Sequence, residues 1–275
     1  MSTIIVISDF SNASRNALKY AASFSQLIKD AGVLLLNIYT VPASYSGEAL
    51  ALAAVRDALA DIERQLEDEL EWAKENCPGV PVRYKAVAGN FIASLQEQAE
   101  EEAALLIVMG TAAGYGQMSQ WDVGSLHALT DLAIPVLTVP KDLQYSAIRN
   151  IAFACLPATI TKESPFTAIK LLLAATGARL HVVTVLAPDR AEADVTEGEA
   201  LLHSQLPWPG AEYHTLAESH IVAAIGHFVE EHHIDLLLVM PGRHGLWYKL
   251  FHKSYSRELA RLNLIPVMAL HESNG

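Results

Sequence analysis

Leu105-Leu-Ile-Val-Met109 runs straight into Gly110-Thr-Ala-Ala-Gly-Tyr-Gly116, with Gly124-Ser125 a little further on. Five apolar residues entering a glycine-rich turn read as a buried central strand whose carboxyl end opens over a cradle of backbone N–H groups. An α/β sheet holds an anionic ligand at such a place. Glycine lets the backbone approach phosphate oxygens, and a hydroxyl at a helix start adds a donor beside the positive dipole end. The same turn also serves as a tight strand-to-helix connection with no ligand at all.

Working outward, other strands flank this one. Ile4 to Ile7 is an apolar run ending at Ser8-Asp9, and Ser11 or Asn12 can cap a helix with Leu18, Ala21, Ser25 and Ile28 on one face, stopped by Gly32. Val33 to Val41 reads as the second strand, and 48–74 as a long amphipathic helix striped by Leu52, Val55, Leu59, Ile62, Leu66 and Leu70. The run Glu67-Asp68-Glu69 with Glu71 is expected on its solvated face. Val82 to Val87, a helix over 92–102, and Val136 to Val139 complete a βαβαβαβαβ order, which implies a parallel sheet covered on both faces. Residues 141–146 read as a linker.

Beyond the linker the programme recurs. Ile151 to Cys155 repeats the first strand, Gly177 to Leu186 repeats Gly32 to Val41, and Ile234 to Met240 repeats Ala104 to Met109. Met109 to Pro135 and Met240 to Pro266 span the same 26 residues, and both prolines sit in an Ile-Pro-Val triplet. Two copies of one domain are expected, over 1–141 and 148–272, facing each other as a pseudo-dimer through edge strands 136–139 and 267–270.

Composition narrows the partners. The chain has 275 residues, 51% of them hydrophobic, and a net charge of −12. A field of that sign argues against nucleic acid and anionic lipid, while N–H dipoles can still hold a small nucleotide. Cys77 and Cys155 are too few for a disulfide framework or a thiolate metal site, and Cys155 reads as core. The start carries no basic n-region and no apolar run approaches a membrane span, so a cytoplasmic protein is expected.

The residues resemble the universal stress protein family in its tandem form. The marks are Ser8-Asp9, Gly89 before the following helix, Val-Met-Gly-Thr at 108–111, Gly124-Ser125 and Pro135-Val136. The resemblance implies two doubly wound five-stranded parallel sheets of order 3-2-1-4-5, the adenine-nucleotide alpha hydrolase-like fold, and ATP or AMP in the first domain, with no metal beyond magnesium accompanying ATP. Carried over, Asp9 meets the adenosine end, Tyr39, Thr40 and Val41 wall the base, and Gly110, Thr111, Gly114, Gly124 and Ser125 hold phosphates. Ser8, Gly89, Met109, Gly116 and Val136 are expected among the nucleotide-binding residues as well. Gly110 and Gly114 hold three residues between them where the family pattern has two, and no Lys or Arg falls between Lys85 and Lys141.

In the second half the position matching Asp9 is Leu156, Pro241 replaces the first glycine, and Trp247, Tyr248 and Phe251 crowd the turn. This half is therefore expected to lack the nucleotide. Ten of the eleven histidines follow residue 150. His220 and His227, seven apart near Glu231, invite zinc, but their spacing is not the i, i+4 pair of a helical metal site, so surface histidines are expected. No nucleophile elbow or paired carboxylates can be placed, and slow ATP hydrolysis has no general base or arginine clamp. Three functions remain: a stress-response binding or regulatory module holding an adenine nucleotide and read by a protein partner, a nucleotide-free scaffold of the same fold, or a weak ATPase. A homodimer of any of these is compatible with the sequence.

Overall fold

The computed structural model describes residues 2–40, 48–111, 132, 134–185, 192–216, 221–240 and 265–271. Strands β1 (Ser2–Ile7), β2 (Ala31–Tyr39), β3 (Val82–Ala88), β4 (Ala104–Thr111) and β5 (Val136–Pro140) belong to the first half. Strands β6 (Asn150–Cys155), β7 (Arg179–Val185), β8 (Glu212–Leu216), β9 (Leu236–Val239) and β10 (Val267–Ala269) belong to the second. The described helices are α1 (Asn12–Ser25), α2 (Glu48–Asn76), α3 (Phe91–Glu101), α4 (Phe166–Thr176), α5 (Glu192–Gln205) and α6 (Ile221–Glu231).

The ten described strands form one sheet, in the order β3-β2-β1-β4-β5-β10-β9-β6-β7-β8. Each half thus has the order 3-2-1-4-5, parallel within itself. The halves join where β5 and β10 pair antiparallel, Leu137 opposite Met268, and Thr138 Oγ1 donates to Val267 O at 3.2 Å.

Strand alternation divides the core into two layers. Ile4 and Val6 of β1, with Ile151 and Phe153 of β6, face one side against α1, α2, α4 and α5. Ile5 and Ile7, with Ala152 and Ala154, face the other against α3 and α6. Such two-sided burial is why these strands read as continuous apolar runs.

Helix α1 begins as expected at Ser11, whose Oγ accepts from the Ser14 N–H at 3.2 Å. Its end differs. The helix stops at Ser25, closed by short-range bonds such as Leu27 N–H to Phe24 O, and Asp30 takes the left-handed backbone with φ 57°. Gly32 instead lies within β2, opposite Thr3. Asp is among the few residues that tolerate that conformation, so the expected glycine stop is not required.

In the acidic run of α2, Glu67, Asp68 and Glu71 are exposed, as expected of a solvated face, and Glu69 is the exception. Glu69 is only 2% exposed, and its Oε1 accepts from Arg15 Nε of α1 at 2.7 Å. The Arg15 guanidinium and the Lys19 ammonium lie over the Trp72 ring, 5.5 and 5.2 Å from its centre. One heptad-like stripe therefore carries a charge inward, because its partner comes from the facing helix.

Residues 141–149 are irregular, as expected of a connection, but they are pinned. Asn16 Nδ2 of α1 donates to Pro140 O and Leu143 O, and the Tyr145 ring meets Tyr20 edge-on at 5.0 Å.

Candidate functional site

Strand β1 lies between β2 and β4, so successive connections leave it in opposite directions. Doubly wound sheets open a crevice at that point, outside the carboxyl ends of the strands. Ser8, Asp9, Tyr39, Thr40, Gly110 and Thr111 all sit at this edge, on the ends of β1, β2 and β4. Gly89 joins them behind β3, its N–H donating to Tyr39 O at 3.0 Å.

The turn after β1 is built in detail. The Ser8 N–H donates to Leu36 O at 2.9 Å, continuing the ladder, and Asn37 Nδ2 of β2 donates to Ser8 O at 2.8 Å. Phe10 takes φ 63°, and its N–H donates to Ser8 Oγ at 3.2 Å. Asp9 Oδ1 accepts from the Ser11 N–H at 3.0 Å, which holds the half-buried carboxylate at the N-terminus of α1. Negative charge is stabilised there by the helix dipole. Asn37, 5% exposed, was not among the expected residues; a single polar residue in an apolar strand is the signal that points to it, and its Oδ1 has no partner among the described residues.

Gly110 has a cause independent of any ligand. A Cβ built on it would stand 2.2 Å from Ala13 O and 2.8 Å from Ser14 N, so β4 and the first turn of α1 cross at backbone contact. Thr111 Oγ1 donates to Val139 O at 3.4 Å across to β5. Two expected residues are elsewhere. Met109 is 2% exposed in the core, and Val136, fully buried, pairs with Ile107 and Ala269 at the joint between halves. As the first residue of β5, Val136 belongs to the opposite end of the strands. Val41, Gly114, Gly116, Gly124 and Ser125 lie outside the described residues, as do Trp247, Tyr248 and Phe251.

In the second half, Leu156 is 4% exposed and is followed by a 3-10 turn, Pro157–Thr159. Helix α5 presses on that turn so closely that a Cβ on Gly198 would stand 1.9 Å from Pro157 O. Cys155 is 2% exposed, and burial pushes its thiol well above the ordinary range, in keeping with a core role.

His227 and His233 are exposed, as expected, whereas three other histidines of the second half gather into one cluster. His181 of β7 is 2% exposed and packs with His214 of β8 and His232 after α6. The register of two strands brings them together, which linear spacing does not reveal. Burial holds the His181 and His214 imidazoles below the ordinary value of 6.5, reinforced at both by His232 and at His181 also by His214. Glu212 opposes the shift at both rings, and Arg179 adds to it at His181.

A group with a lowered folded pKa takes up its proton more readily in the unfolded chain, so the stability tied to these rings is present above about 6.5 and lost as pH falls below it. Melting midpoints measured across that value are expected to fall on the acid side, and His214→Gln is expected to flatten the fall.

Comparison with known proteins adds the following. A sequence model of the Universal stress protein family matches residues 1–126. No curated protein matches the chain. Among solved structures, a universal stress protein from Archaeoglobus fulgidus DSM 4304 is similar at 15% identity, covering 99% of this chain and 97% of that one, with a TM-score of 0.66. A functionally unknown protein from Pseudomonas aeruginosa PAO1 is similar at 14% identity, over 99% and 93% of the two chains, with a TM-score of 0.55.

Proposed function

We propose that this chain, which carries a universal stress protein domain over residues 1–126 on the adenine-nucleotide alpha hydrolase-like fold, is a stress-response protein that holds ATP or AMP in the crevice of its first half. The observation that carries the reading is the meeting of Asp9, Gly110 and Thr111 at the carboxyl ends of β1 and β4, beside the N-terminus of α1. Asp9 accepts from hydroxyl or amino groups at the adenosine end. The backbone N–H groups after β4, the hydroxyl of Ser125 and that of Thr111, turned from its bond to Val139 O, receive phosphate charge. Magnesium accompanies the nucleotide when it is ATP. The second half, with Leu156 in the place of the carboxylate, serves as the other member of a pseudo-dimer. The protein works in the cytoplasm, occupancy changing a surface that a protein partner reads.

One observation favours a second reading. The contact between Gly110 and Ala13 accounts for that glycine by packing alone. A nucleotide-free scaffold of the same fold would keep it too.

Denaturing the purified chain and chromatographing what it releases separates the two, followed by calorimetric titration of ATP and AMP into wild type and Asp9→Asn. Asparagine keeps an oxygen for the Ser11 N–H and removes only the charge, so the fold is retained. A hydrogen bond to a charged group is worth about 1.5–3 kcal/mol, which predicts roughly 10-fold or greater loss of affinity. Wild type that ignores millimolar ATP would establish the scaffold.

A further inference from the structure

The second half carries a cluster that the nucleotide reading does not use, at the amino ends of β7 and β8. Parallel register sets His181 opposite Glu212, and His214 lies two residues further along β8 on the same face. His181 Nδ1 and His214 Nε2 are 3.2 Å apart, and Glu212 Oε2 lies 3.6 Å from the first and 3.7 Å from the second. The centre of that triangle is about 2.0 Å from all three atoms, the length of zinc–nitrogen and zinc–oxygen bonds.

A hydrogen bond between the imidazoles explains only the shortest side. The carboxylate oxygen is aimed between both nitrogens yet stands beyond hydrogen-bond reach of either, which is the spacing of ligands around an ion. We propose that His181, Glu212 and His214 form a binding site for a divalent transition metal of the zinc class.

The surroundings suit the task. The Arg179 guanidinium lies 4.0 Å from Glu212 Oε1, the other carboxylate oxygen, and so steadies the ligand without taking Oε2. His181 Nε2 is buried with no partner among the described residues, so the polar fixing of this ring comes through Nδ1, the atom facing His214 and Glu212. The His232 ring, centred 5.3 Å from His181 and 5.0 Å from His214, is a further imidazole at hand for the fourth position. It stacks on Phe228 of α6 at 4.1 Å, and Phe228 meets His214 edge-on at 4.8 Å, giving the site an apolar wall. The Glu212 side chain is 46% exposed and that of His214 23%, which leaves an entry path from solvent.

Full-length protein stripped with a chelator and titrated with zinc sulfate, and in parallel with cobalt chloride, tests the assignment. One ion per chain is expected, with the intense visible bands of tetrahedral cobalt and a raised melting midpoint. Affinity is expected to fall about 100-fold in His214→Gln, and about 10-fold or more in Glu212→Gln, whose exposed position keeps the fold intact. Circular dichroism of both variants confirms that the loss is local. Absence of binding, weak binding of many ions with the pale spectrum of octahedral surface cobalt, or unchanged affinity in both folded variants would each overturn the site.

Discussion

Gly110→Ala is expected to destabilise the chain by about 3 kcal/mol or more, beyond the usual range for an added methyl group. The new Cβ would lie 2.2 Å from Ala13 O, 2.3 Å from Ala13 C and 2.8 Å from Ser14 N. These are backbone atoms of the first turn of α1, so no side-chain rotation relieves the contact. Helix α1 must move away from β4, which also disturbs the Ser11 cap and the Asp9 turn that fix the crevice. The measurement is a urea midpoint at constant slope. An unchanged midpoint would mean that helix and strand do not approach so closely. Because the effect is on folding, nucleotide affinity in this variant is informative only when Asp9→Asn is measured beside it.

The second large effect is expected at Phe153→Ala, about 3–5 kcal/mol. Phe153 is fully buried at the middle of β6, between Val182 of β7 and Leu238 of β9, among the largest side chains with no exposure. Its neighbours belong to strands hydrogen-bonded on both sides, so the void cannot collapse without breaking ladder bonds. Phe153→Leu, which retains most of the volume, is expected to cost about 1 kcal/mol. Equal losses in the two variants, read as denaturation midpoints, would show a site that relaxes around any substitution.

The strands that were legible in the sequence are those buried on both faces. Ile4 to Ile7, Leu106 to Met109 and Ile151 to Cys155 carry continuous apolar runs because both layers of core touch them, while Leu105 at the entry of its strand is 47% exposed. The matched 26-residue spans to Ile-Pro-Val pointed to the joint between β5 and β10. Strand β8 was not legible, since Glu-Tyr-His-Thr-Leu at a sheet edge is mostly exposed and looks like a loop. Glu69 was misread because the charge that accompanies it, Arg15, lies 54 residues away. Asp9 and Gly110 lie at the carboxyl ends of β1 and β4, whereas Val136 opens β5 at the other end of the strands, because a proline-valine pair marks the entry of a strand and not its exit. The cluster of His181, Glu212 and His214 depends on the register of two parallel strands, which no spacing within either strand encodes.

The antiparallel joint between β5 and β10 has an electrical consequence. Because it reverses strand direction, the rim of the sheet that carries carboxyl ends in the first half carries amino ends in the second. Helices run opposite to their neighbouring strands in such a fold, so α1 presents its N-terminus to this rim while α6 presents its C-terminus, beside His232. One rim therefore joins a partial positive pole near Asp9 to a partial negative pole near His181, each about half an elementary charge. Five strand spacings separate β4 from β7, roughly 24 Å, beyond a Debye length at physiological salt. Anion and cation can thus occupy the same rim of the molecule with little direct influence on each other through solvent, and any communication between them has to pass along the sheet.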